Sequence, residues 1–379
     1  MNGNKMKRFF EFSPAFLPTF VVGILSVLSL SILLSDTKIS EEGRKEAKRH
    51  EVRLETMEIR HSDRKRWNMN SGYLSLYDAV FLDENTILAL HLQDGFRISY
   101  DGGRSWKRMF AESGGVPEAT EGWTLNGLEF IDARTGWAFG SCLIKTVDGG
   151  KTWQRIELPE WMDNIKASFL SENVGFLTGR AGFRGNTSLV VYKTRDGGKT
   201  WRKSFRTKEV ESPWDLIMVN SKVAMITAGG GWLWRTADGG TTWKKILSRD
   251  YGRVMSLSRS HHGRFWLFGK NSIRVSDDFG VTWRDAEGLD KGLIDHDWWS
   301  VDFTETGLGV AVAEDSAIAL TKDGGSTWRE IRSNLHSQDR IQVPDNPYDE
   351  ALRGIRLYGN RGIINGSQRD YMVTILDLE

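Results

Sequence analysis

The chain has 379 residues, with 51 Lys and Arg against 50 Asp and Glu, a net charge of +1, one cysteine, 40 glycines and 16 tryptophans. Near-neutrality gives no electrostatic basis for binding nucleic acid, which needs a concentrated excess of Lys and Arg. A lone cysteine, Cys142, excludes an internal disulfide framework and reads as a small core residue between two strands.

Residues 1–14 form a short N-terminal tail. From Ala15 to Leu34 the chain runs for twenty residues without a charge, enough helix to span a hydrocarbon core of about 30 Å. No small-x-small cleavage site follows it, so it reads as an uncleaved transmembrane anchor rather than a signal peptide. Basic residues flank both ends (Lys5, Lys7 and Arg8 before; Lys38, Arg44, Lys45, Lys48 and Arg49 after). Counted alone, they would place the following domain on the cytoplasmic side. Residues 35–50 read as a polar linker, and 51–379 as one repeat domain.

Within that domain an eight-residue phrase recurs six times, as SYDGGRSW, TVDGGKTW, TRDGGKTW, TADGGTTW, SDDFGVTW and TKDGGSTW. Its aspartates are Asp101, Asp148, Asp196, Asp238, Asp278 and Asp323, at intervals of 47, 48, 42, 40 and 45 residues. Its tryptophans are Trp106, Trp153, Trp201, Trp243, Trp283 and Trp328. That period suits a propeller blade. Glycine supplies positive φ in a tight turn, the carboxylate accepts bonds from the turn's amides, and the ring packs beneath. Six copies of one aspartate argue for a structural role. GGKT at 149–152 and 197–200 lacks the earlier glycine of a phosphate-binding loop.

Upstream of each phrase lie an alternating segment such as 125–132 and a small-residue strand such as 135–140, which predicts four strands per blade. The glycines and alanines of the second strands (from Val174, Gly263 and Gly307) suggest inner strands crowding a central channel. After Trp328 come strand-like runs at 355–360, 361–366 and 371–378, and residues 52–60 can supply a fourth strand that closes the ring. The reading is all-β and seven-bladed, with six blades and a C-terminal extension as the alternative.

The phrase is the Asp box, or BNR repeat. The chain resembles the Asp-box propellers, and over residues 50–379 it is most similar to the photosystem II stability and assembly factor family, 135–156 being its most characteristic stretch. That resemblance implies a non-catalytic propeller that holds a membrane-protein partner during assembly. It also implies a propeller on the extracytoplasmic side, despite the flanking charges. Sialidases and xyloglucan-type hydrolases share the repeat, so a sialidase-like glycoside hydrolase is the alternative, and it would need two opposed carboxylates. The sialidase arginine triad cannot be assigned in this sequence, and the N-terminal RIP signature is missing.

Long connections at 111–122, 157–166, 285–298 and 332–350, with the turn at 179–188, point to a binding surface opposite the boxes. The candidate partner-binding residues there are Trp161, Arg180, Arg184, Trp232, His296, Trp298, Trp299 and Arg340, accompanied by Asp163 and Tyr348. The run Asp295–His296–Asp297 alternates faces, and no paired CxxC or HExxH occurs. No catalytic residue, metal ligand or cofactor is assigned, and the expected partners are a membrane and an unidentified protein.

Overall fold

The computed structural model describes residues 50–57, 76–91, 95–110, 117–120, 123–183, 185–210, 212–247, 254–260, 263–270, 272–287, 289, 293–314, 317–331, 351–366 and 370–377. The anchor segment 15–34, most of the linker, the connection 332–350 and residues Arg184, His261, His262, Arg340 and Tyr348 lie outside them. No helix among the described residues is long and apolar enough to cross a membrane.

Seven four-stranded antiparallel sheets form seven blades. The first strands are Leu76–Phe81, Leu125–Phe130, Met162–Phe169, Pro213–Met218, Val254–Arg259, Trp298–Phe303 and Leu352–Tyr358. Neighbouring first strands pack side by side around the ring, and the last packs against the first. Blade 7 takes its first three strands from the C-terminal end, and its fourth, His50–Met57, comes from the N-terminal side. His50 pairs with Asp377 and Met57 with Asp370, so no open sheet edge separates the two ends of the ring.

Six boxes for seven blades follow from that closure. Each box turns the third strand into the fourth. In blade 7 these strands are Asp370–Asp377 and His50–Met57, from opposite ends of the chain, and no hairpin joins them. The box turns share one face of the ring with the turns between first and second strands. The opposite face carries the blade-to-blade connections and the turns between second and third strands. His50 begins its strand at the box face, on the rim of blade 7.

In the box of blade 2, Thr146 Oγ1 donates to Asp148 Oδ1 at 2.8 Å and accepts the Gly150 amide at 2.9 Å. Asp148 also accepts the Thr152 amide and hydroxyl, and Trp153 Nε1 donates to the Gly150 carbonyl at 2.9 Å. Trp153 packs into the core that blade 2 shares with blade 1, among Leu88 and Phe96. The box therefore fixes its own turn and wedges a ring between blades. Both box glycines adopt positive φ. Blade 5 departs, placing Phe279 in the left-handed region with φ of 60° and its ring 47% exposed.

Apolar packing is divided among seven cores, each between two adjacent blades. The small-residue strands are second strands buried on both sides, such as Gly136–Gly140 and Gly309–Ala313. They do not line the channel, which corrects the expectation from sequence. Their leading glycines are there for a different reason. A Cβ on Gly136 or Gly309 would sit 2.5 Å from the ring of Phe130 or Phe303, the aromatic residue that ends the paired first strand.

Candidate functional site

Charged residues on the first strands, absent from the candidates read in the sequence, occupy the axis of the ring. Asp78, Asp215 and Asp302 each accept the backbone amide of the next residue and one amide from the following blade: Leu128 at 3.0 Å, Leu257 at 3.3 Å and Leu357 at 2.8 Å. Glu129 accepts from Ser168 Oγ and the Phe169 amide, and Ser168 Oγ accepts the Met218 amide. Asp370 accepts the Leu76 amide, and Arg356 donates to Asp78 at 3.0 Å. First strands expose an unpaired edge, and these side chains satisfy its amides blade by blade.

The cluster is half-buried along the channel and mutually charged. Burial pushes the Glu129 carboxyl up to about 8 against its two hydrogen bonds. Burial also raises Asp215 and Asp302, opposed chiefly by Lys166 and Arg356 respectively. The Asp78 charge, outweighing burial, holds Arg356 protonated, whereas burial lowers Lys166 against the charges of Asp215 and Asp78. Both oxygens of each of these four acids already accept hydrogen bonds, which suits clamping of blades and leaves little capacity for acid-base work on a sugar. Among the described residues no group of three His, Cys, Asp or Glu side chains is arranged to hold a metal ion.

Every first strand also carries a register irregularity near its opposite-face end. In six blades one residue is left over by the pairing, among them Tyr77, Asn126, Trp214, Trp299 and Arg353. In blade 3 two are left over, Asn164 and Ile165. Bulges re-aim side chains, and these encircle the mouth of the channel. Trp299 thus joins a half-exposed mouth, with Trp214 two blades before it.

The opposite face is uneven. The second and third strands of blade 3, Gly175–Phe183 and Asn186–Thr194, have nine residues each, against five for the second strands of blades 1, 2, 4, 5 and 6. Four extra residues carry the hairpin roughly 13 Å farther. The stretch 179–188 is therefore paired strand almost to its tip rather than a long turn. At that tip Phe183, 63% exposed, stacks on Trp161, 42% exposed, with ring centroids 4.4 Å apart. Arg180 grips Asp163 through two parallel bonds and braces the hairpin to the first strand. At its other side Glu160 accepts from Arg206 and from the Tyr192 hydroxyl, and burial followed by that carboxylate pushes Tyr192 up to about 12.

The remaining candidates divide. Trp232 stacks on Trp234 at 5.4 Å, with the Lys245 ammonium 4.3 Å above its ring. His296 lies 3.8 Å from Glu330 and edge-on to Trp298, while Asp297 pairs with Lys270 at 3.1 Å, so the three residues from Asp295 diverge. Trp298 is 0% exposed and its Nε1 donates to the Leu293 carbonyl. It is a core residue, which corrects its selection as a surface anchor. Arg184 and Arg340 lie outside the described residues. The channel acids had a signal in the sequence, a lone charge inside an apolar strand, as in LYDAVF and WWSVDF.

The family described as photosynthesis system II assembly factor YCF48 matches residues 116–285. Among solved structures, YCF48 from Cyanidioschyzon merolae is 15% identical, with 85% of this chain and 98% of that chain covered at a TM-score of 0.60. A GH74 enzyme from Niastella koreensis is 14% identical, covering 80% of this chain and 43% of that one, with a TM-score of 0.54. Virginiamycin B lyase from Staphylococcus aureus is 10% identical, covering 86% and 100%, with a TM-score of 0.59. At such identities these structures share the fold alone. No curated protein matches the chain.

Proposed function

We propose that this chain, a BNR-type propeller related to the photosystem II assembly factor, is a non-catalytic protein-binding scaffold for a membrane or envelope complex. The segment 15–34 tethers it as a single-pass membrane protein, with the propeller on the extracytoplasmic side. The supporting observation is the raised hairpin of blade 3, which presents the Trp161–Phe183 stack to solvent on the face opposite the boxes. Large aromatic rings on a braced hairpin are suited to anchor a protein partner at low conformational cost. A tether raises the local concentration of a membrane partner and lets weak contacts suffice. The commitment of the channel carboxylates to backbone amides favours this reading over the hydrolase alternative.

The test is cross-linking and affinity purification of the full chain from its own membranes, beside a Trp161→Ala/Phe183→Ala variant. A membrane-protein partner retained by the parent and lost by the variant is the expected result. A partner held equally by both removes the hairpin from the interface. Cleavage of a glycoside by the purified protein overturns the scaffold reading.

A further inference from the structure

Between the box turns of blades 3 and 4 lies a groove of about 340 Å³, lined by Lys193, Arg195, Arg202 and Lys203 together with the Gly239–Gly240–Thr241 turn. Among the described residues no carboxylate side chain lines it. The two nearby box acids, Asp196 and Asp238, are occupied by the hydroxyls and amides of their own turns. Lys193 Nζ donates to the Gly239 carbonyl at 2.8 Å and lies over the Phe176 ring. Among the described residues Arg195 and Arg202 meet no carboxylate. Lys203 turns its ammonium to the other side of the sheet, over the Tyr192 ring of the core shared with blade 2 and 3.9 Å from Glu160, so its charge does not face the groove.

The repeat contains its own comparison. The four lining cations flank the box at fixed positions: one before the box hydroxyl, one after it, and two following the box Trp. Only blade 3 has a cation at all four, since each other box replaces at least one with an apolar, polar or acidic residue. Where cations recur at these positions, some are neutralised, as Lys145 is by Glu172 at 3.1 Å and Arg284 by Asp277 at 2.9 Å. In blade 3 Lys203 pairs with Glu160, whereas Lys193, Arg195 and Arg202 meet no carboxylate among the described residues. Burial and then the Arg195 charge lower the Lys193 pKa, against a smaller opposing pull from Asp238.

We propose that this groove binds a phosphate-bearing anion, carried either by a small soluble ester or by an acidic lipid headgroup. Two guanidinium forks can each chelate two phosphate oxygens, and the Lys193 ammonium adds point charge. The volume suits a headgroup-sized ligand rather than a polymer. This site is on the box side of blades 3 and 4, distinct from the opposite-face hairpin, and does not depend on the scaffold reading.

The full chain in detergent is titrated calorimetrically with inorganic phosphate and with glycerol 3-phosphate, with acetate as the control anion. In parallel it is reconstituted and mixed with vesicles of phosphatidylcholine alone or with added phosphatidic acid. Arg195→Gln/Arg202→Gln should weaken phosphate binding about tenfold or more, whereas Arg104→Gln, a box cation of blade 1, should leave it unchanged. Phosphate should raise the melting temperature of the parent and not of the double variant. Near-UV circular dichroism establishes that the variant is folded, and Lys193→Gln provides a milder second variant with a smaller loss. Much tighter binding to phosphatidic acid vesicles than to free phosphate identifies the lipid source, and the reverse identifies a soluble ester. Absent phosphate binding, acetate binding of equal strength, or equal loss in Arg104→Gln overturns the proposal. So does a groove that takes only an acidic peptide.

Discussion

At the scale of single residues, the acids of this chain serve two opposite electrostatic purposes. The box aspartates sit near solvent. In Asp196 the Thr200 hydroxyl, then the Thr200 amide and the Thr194 hydroxyl, hold the carboxyl down at about 2. In Asp101 burial opposes ionisation, yet the Ser105 and Ser99 bonds still bring it to about 2. These groups stabilise the folded chain above the ordinary value of 3.8, and that contribution is lost as pH falls from 3.8 toward 2. Glu129 behaves in reverse. Its folded pKa of about 8 exceeds the ordinary 4.5, so its stabilising contribution is complete below 4.5 and disappears as pH rises through 8. Glu129→Gln keeps an acceptor for the Phe169 amide without the ionisation. It should nearly match the parent near pH 5 and become the more stable protein by pH 9, its advantage growing up to about pH 8 and then levelling off. Urea unfolding at both values checks this, and parallel pH profiles for the two proteins would remove the electrostatic account.

At the scale of elements, the glycine that opens the second strand of blades 2, 3 and 6 is set by the ring above it. Gly175 lies directly under Phe169, which is stacked face to face on Trp137 of blade 2 at 3.7 Å. Trp137 is itself fully buried, so neither ring has room to retreat. Gly175→Ala should therefore destabilise by roughly 1–3 kcal/mol through overpacking. Gly185→Ala, at a tip with no atom nearby, tests only the positive φ and should cost about 1 kcal/mol or less. Thermal melts of the two variants decide whether crowding or backbone freedom governs. Equal losses would exclude the crowding explanation.

The same contrast shows what could be read from the sequence. The box was legible because its chemistry is local: a carboxylate, two glycines and two hydroxyls within eight residues satisfy one another. Blade number and closure followed from counting strands on either side of the boxes. The clamps were not legible, because Asp215 is explained only by the amide of Leu257 in the next blade, 42 residues away. The hairpin of blade 3 was misread as a turn because TGRAGFRGNTS has loop composition, whereas its length is maintained by pairing and by the Arg180–Asp163 brace. Trp298 was misread because a tryptophan in a charged run looks exposed until the Leu293–Asp295 turn folds over it.

At the scale of the whole molecule, stability depends on closure, because the cores lie between blades and none is complete within one blade. Blade 7 is the point of vulnerability. Its first three strands arrive last in the sequence, and its fourth is the earliest strand described. Eight consecutive pairs, from His50 with Asp377 to Met57 with Asp370, are the link between the two ends of the sequence within that sheet. Removing residues 1–57 would leave the strand Asp370–Asp377 with a bare edge, a template for pairing with another chain. The shortened protein should melt at lower temperature, unfold with a smaller denaturant m-value as blade 7 frays first, and form dimers or larger species on gel filtration. A synthetic peptide covering 48–60, added in trans, should restore both the monomer and the m-value by refilling the edge. Removing residues 1–49 instead leaves the strand in place and should give a monomer of higher melting temperature and m-value, the reference against which the 1–57 deletion is compared. If the 1–57 deletion stays monomeric with an unchanged melt, the N-terminal strand is dispensable, and the ring is held by the axial clamps of Asp78, Arg356 and Asp370 instead.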